Sequence, residues 1–263
     1  MPTPASVALS RLRARVRVAL GVATLGLVAG SVSPDLTAQS DYEGARLVRP
    51  AWVVGNVPDT VWVLMEAAVA AGHDDTMKSM LKEAEVHARA ATVGYETDIG
   101  RRFALAAVLG MRADREGGRT KVGAASALYE ELDVVLALDP DHAQARYMMG
   151  RLHAGVRRMN RVTRWLATNI LGGGTLKKAS WEEAEQHLVF AETRAGDVPD
   201  HHLQLARLYL DTDRMALAEV EVHHVLALVA VSPMEQEARA EALDLQAEFF
   251  GDSDDRMQRK EGG

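Results

Sequence analysis

Two proline-led helix starts, Pro199-Asp200 and Pro233-Met234, lie 34 residues apart in a chain of 263. Proline suits the first position of a helix, where its missing N–H would have no partner in any case. A repeat of this length is the strongest constraint in the sequence, because it holds one helical hairpin that cannot bury its apolar face alone and is stabilised by stacking on neighbours. The residues between the two starts agree with that geometry. In "LARLY", Leu205 to Tyr209, the small Ala206 sits among large residues, and Ala218 offers a second small position in the following helix. Small side chains let two helices approach closely, and large ones fill the groove between hairpins.

From Asp59 onward the chain keeps the helical period, as in Met77, Met80, Leu81, Ala84, Ala88 and Ala91, and no segment alternates convincingly at period two. Asp59, Asp98 and Asp141 precede such runs, Gly72 follows one, and Ser180 with Glu183 and Ser232 with Glu235 have the capping-box spacing. These signals predict about nine helices, near residues 59–71, 74–93, 98–112, 120–138, 141–156, 180–195, 200–211, 213–229 and 233–250. Residues 39–58 read as an irregular lead-in and 251–263 as a flexible tail. Since 34 residues is the tetratricopeptide (TPR) period, the expected fold is all-α: a TPR-like α-solenoid of antiparallel helix hairpins over residues 59–250, closed by a C-terminal capping helix.

Upstream the period breaks. "LALDPDHAQARYMMG" supplies another repeat boundary, with Asp139-Pro140-Asp141 as the turn and Gly150 at the close-contact position, but Pro140 stands 59 residues before Pro199, about 25 more than the period. Counting from Gly150 to Ala206 leaves 22 extra. One hairpin therefore carries an insertion, at 157–178. Within it Met159, Val162, Trp165, Leu166 and Ile170 form the apolar face of a short helix, Arg158, Arg161 and Arg164 fall largely outside that face, and three glycines turn the chain back. Trp165 and Trp181 are expected to seal the insertion against its repeat, and Trp52 and Trp62 to pack the first hairpin.

In the order "ALYEELDVVLALDPDHAQARYMMGRL", "RVTRWLATNILGG", "SWEEAEQHLVFAE" and "HLQLARLYLDTDRMALAEVEVHHVLAL", the chain resembles the regulator of microtubule dynamics family of TPR-like proteins over roughly residues 120–250. The inserted Arg/Trp helix is the more specific element of that likeness. The resemblance implies an all-helical interaction domain without a catalytic centre. Microtubule binding is not carried over, because the start of the chain points to export.

That start, "RLRARVRVALGVATLGLVAG" followed by "SVSPDLTAQS", has the order of a secretory signal peptide over residues 1–38: Arg11, Arg13, Arg15 and Arg17, then a short apolar run, then a cleavage site after Ala38. The chain is expected in the periplasm or outside the cell. Only if the segment stays uncleaved does it become a membrane anchor, and the run is shorter than the roughly 20 residues a span needs. Cleavage takes Lys and Arg from 30 to 26 and Asp and Glu from 37 to 36, for a net charge of −10. An acidic chain is a poor match to the phosphates of nucleic acid, which is excluded as a partner.

The chemistry-bearing motifs are few. No cysteine is present, and neither G-x-S-x-G nor H-E-x-x-H occurs. "GGGTLKK" lacks the phosphate-loop spacing and follows no strand. The pairs His201-His202 and His223-His224 suggest a metal site, but adjacent helical residues diverge by about 100°, and no carboxylate stands out to complete a set; the histidines are expected to be structural, with no metal or other cofactor. No catalytic group is assigned, and the chain is expected to be a non-catalytic protein-binding scaffold. In TPR hairpins the residues three or four before and one after the small contact position line the concave surface. With Gly150 and Ala206 in that role, the partner-binding candidates are Arg146, Arg151, Leu203 and Arg207. Arginine's planar fork suits an acidic segment or a C-terminal carboxylate. Arg161, Arg164 and Trp165 of the insertion are the second group of candidates. The rival expectation is a lipid or small-molecule carrier with the Trp165 segment as its lid.

Overall fold

The computed structural model describes residues 58–71, 74–230 and 233–251, with the side chains of Pro233 and Met234 outside the description. The predicted signal peptide, Trp52 and the Ser232 cap lie outside the described residues. Among those described there are ten α-helices and no strand. In chain order these are α1 (Asp59–Ala70), α2 (Asp74–Thr92), α3 (Ile99–Arg115), α4 (Gly118–Leu138), α5 (Ala143–Arg158), α6 (Arg161–Asn169), α7 (Trp181–Arg194), α8 (Pro199–Asp211), α9 (Met215–Ala227) and α10 (Pro233–Leu245). A 3₁₀ turn, Gly174–Lys178, follows α6, and a short π-helical stretch, Gln246–Phe250, extends α10. No described helix is long and apolar enough to cross a membrane.

The expected nine helices and the inserted one are all present, and their caps show why they start where they do. Asp98 Oδ1 accepts from the Arg101 amide at 3.0 Å, Asn160 Oδ1 from Thr163 at 2.9 Å, and Ser180 Oγ from Glu183 at 3.0 Å. Pro199 opens α8 as predicted. One cap differs. The sequence places Asp141 at the start of α5, whereas His142 Nδ1 accepts from the Ala145 amide at 3.2 Å, and Asp139 takes the Asp141 amide into the preceding turn instead.

Consecutive helices pack on one another from α1 to α5; α7 takes the next place against α5, α8 packs on α7, and α9 and α10 both contact α8. The insertion therefore loops out between two helices that are partners in space. The position where α5 meets α7 is occupied by Gly150. A Cβ there would lie 2.7 Å from Leu188 Cγ and 3.0 Å from the Ala184 carbonyl, which is the close approach the sequence assigns to this residue. Ala206 and Ala218 are fully buried between α8 and α9. One continuous core runs from Trp62 and Met65 of α1 through Phe103, Leu105 and Leu109 to Leu132, Met149 and Val156, and it reaches Ala167 and Leu176 of the insertion.

Candidate functional site

The two groups of candidate residues have different environments. At the arginine positions, Arg146 donates from Nε to the Pro140 carbonyl at 2.9 Å, and its guanidinium lies over the Phe190 ring. Its charge, after burial itself, also holds the neighbouring His187 imidazole down, to a pKa of about 4. Arg151 faces Asp114 at 3.7 Å and the Tyr147 ring. Arg207 holds Glu241 of α10 through two bonds, the Nε–Oε1 distance being 2.6 Å. Leu203 is 2% exposed and presents no surface. Asp200, whose carboxyl is pushed up by burial, accepts from Tyr147 and Gln204 in the same region. The basic groove read from the sequence is thus matched by Asp114 and Glu241. Neither acid is visible as a partner until α3 and α10 are placed against α5 and α8.

The insertion folds as predicted but faces the other way. Asn160 caps α6, and the Arg164 guanidinium bonds the carbonyls of Arg157 and Met159 at 3.1 and 3.2 Å, which ties its first turn to the end of α5. At the other end Gly172 takes φ +91°, a left-handed conformation suited to glycine, and the Gly173 amide returns to the Ala167 carbonyl at 2.9 Å. A Cβ on Gly173 would collide with that carbonyl and with Val122 of α4. These ties bury Ala167 and Thr168 on the side away from Val162 and Leu166, and Leu176 of the 3₁₀ turn enters the core against α4.

Trp165 is accordingly 56% exposed, Val162 69% and Ile170 50%, with Leu166 also exposed; of the apolar residues picked from sequence, Met159 alone packs against the core. The expected seal by Trp165 is corrected by this geometry. Small residues dock, and the large ones form a bare apolar stripe.

The charges of the inserted segment are of one sign. Residues 157–178 hold Arg157, Arg158, Arg161, Arg164, Lys177 and Lys178 and no acidic residue, in a chain whose net charge is −7. Among the described residues only Arg158 of these six is ion-paired, with Asp211 at 2.5 Å. Arg119, at the start of α4, adds a seventh base by bonding the Ile170 carbonyl at 3.5 Å.

A family model described as regulator of microtubule dynamics protein 1-3 matches residues 53–249, more than half of the chain. The chain belongs to that family. No curated protein matches it. The ends of the regulator of microtubule dynamics match enclose α1 to α10, so α6 and its glycine turn fall between them. It also reaches back through the first helices, further than the resemblance visible from residue 120.

One cluster was missed from the sequence. His202 of α8 meets Glu221 and His224 of α9, so a carboxylate does stand beside one histidine of each pair. Glu221 and His224 are three apart on one helix and share a face, which was the available signal; that this face meets His202 depends on the pairing of α8 with α9.

Proposed function

We propose that the chain is a non-catalytic binding scaffold of the cell envelope, a TPR-like α-solenoid that docks an acidic, amphipathic protein segment on the exposed face of α6. The observation carrying this reading is the exposed stripe of Val162, Trp165, Leu166 and Ile170 on a segment, residues 157–178, that holds six bases and no acid. An apolar centre with a tryptophan and a charged rim is the composition of a protein contact site, and charge of one sign selects an opposite partner. The solenoid reading is supported by the 34-residue spacing, the succession of neighbouring helices and the close contact at Gly150. Placement in the periplasm or outside the cell rests on the sequence of residues 1–38.

The alternative of a lipid carrier with α6 as its lid is less well supported, since Trp165 turns outward and Ala167 and Leu176 fill the space beneath. The test uses a photo-crosslinking amino acid in place of Leu166, and separately in place of Arg151, in the full chain expressed in its own cell envelope. Adducts with a protein that carries an acidic segment are expected from position 166, and they are lost when Arg161→Glu is added. Adducts from position 151 alone would return the binding surface to the arginine positions. Adducts with lipid alone would overturn the protein-scaffold reading.

A further inference from the structure

The α8–α9 pair holds a second constellation, unrelated to the α6 face. His202 is buried, and both of its ring nitrogens face acceptors. Nε2 lies 2.9 Å from the Gly196 carbonyl, and Nδ1 lies 2.8 Å from Glu221 Oε2. A carbonyl can only accept, so Nε2 must carry a hydrogen. A neutral imidazole has just one, which leaves the Nδ1 lone pair directed at a carboxylate. Two lone pairs at hydrogen-bond distance repel unless something positive stands between them. That charge is either a second ring proton or a metal ion.

The third group separates these possibilities in kind. His224 Nδ1 lies 3.5 Å from the same Glu221 oxygen, and one ligand atom from each of the three residues falls within 4.8 Å of the others. A proton shared by His202 and Glu221 has no use for His224. A metal ion does. Zinc bonds of about 2.0–2.2 Å in a tetrahedral site place donor atoms roughly 3.3 Å apart, so the observed separations require shifts of an ångström or so. The backbone carbonyl on Nε2 fixes the tautomer that frees Nδ1, a common outer support of metal-bound histidine. His224 is exposed, which leaves the solvent side open for water as a fourth ligand.

We propose that His202, Glu221 and His224 form a binding site for a divalent transition-metal cation of the zinc type. Two imidazoles with one carboxylate suit zinc and its neighbours, whereas magnesium and calcium favour all-oxygen sets. His201 and His223, the other members of each pair, take no part. His201 Nδ1 is instead 3.1 Å from the Ala195 carbonyl.

The experiment is isothermal titration of the tag-free full chain with zinc chloride, alongside the visible absorption of its cobalt(II) complex. Zinc is expected to bind in one equivalent, and cobalt to give the intense spectrum of a four-coordinate nitrogen and oxygen site. His224→Ala and Glu221→Gln should each weaken zinc at least about tenfold, since even outer-shell losses cost that much. His223→Ala, an exposed neighbour outside the cluster, should leave affinity unchanged, and circular dichroism checks that each variant keeps its helices. Failure of the unaltered chain to take up zinc would assign the cluster to the proton-bridged pair and overturn the proposal. Equal affinity in all three variants would do the same, by placing the zinc elsewhere.

Discussion

Glycines at two positions of α5 give opposite expectations for one substitution. At Gly150 an added methyl lands against Leu188 and the Ala184 carbonyl, and the backbone oxygen cannot move aside without shifting α7. Gly150→Ala is expected to destabilise by about 1–3 kcal/mol, the usual range for overpacking, despite the better helix propensity of alanine. Gly155, five residues on, has nothing within 4 Å of the same position, and Gly155→Ala should stabilise by roughly 0.5–1 kcal/mol. Urea midpoints of the two variants should move in opposite directions, and movement of both the same way would refute the close contact. Gly150 was legible because the repeat spacing singles it out. The His142 cap was not, because aspartate is the stronger capping residue and the Asp139-Pro140-Asp141 turn draws Asp141 away only once the turn has formed.

For the inserted element, sequence predicts the helix but not its orientation. The apolar spacing of Val162, Trp165, Leu166 and Ile170 identifies a face, and an amphipathic pattern is ordinarily turned inward. Here the ends decide instead. Arg164 bonded to the end of α5 and Gly173 pressed against Val122 hold α6 with Ala167 and Thr168 inward, and the large side chains follow outward. Trp165→Ala should therefore change stability by no more than about 0.5 kcal/mol, as surface substitutions usually do. Leu176→Ala should cost about 2–5 kcal/mol, as a buried leucine does, and should speed amide exchange across residues 161–178 more than in α8. A large loss from Trp165→Ala would restore the sealed arrangement expected from the sequence. The paired acids at the arginine positions were hidden for a related reason. Arg207 and Glu241 are on helices 34 residues apart in sequence, and a periodic pattern shows that such helices stack without showing which charges meet.

For the whole molecule, the histidines set a pH dependence with a definite sign. Burial is the leading cause holding His142, His153, His187 and His201 below the ordinary 6.5, with His187 lowered to about 4. Each prefers to stay neutral in the folded state and takes up its proton more readily in the unfolded chain. The stability from such a group is fully present above pH 6.5 and is lost as pH falls toward its folded pKa, which for His187 gives a window between about 6.5 and about 4. Within the window each group contributes a slope of roughly 1.4 kcal/mol per pH unit. His202, in the metal-free chain, is the exception: burial lowers it, but Glu221 and the Gly196 carbonyl together outweigh that and raise it, so its contribution is present below 6.5 and lost as pH rises through its raised value. Among the histidines, four groups against one make acidification the destabilising direction; Asp200, whose carboxyl is raised by burial, opposes them by holding its proton more readily in the folded chain. Urea unfolding across the window should show a midpoint falling with pH, and His187→Gln, which removes one titrating ring from the pair with His153, should flatten that fall by about one group's share. A midpoint independent of pH between 6.5 and 4 would mean that these rings are hydrated in solution, and with them the contact between α5 and α7 that encloses His153 and His187.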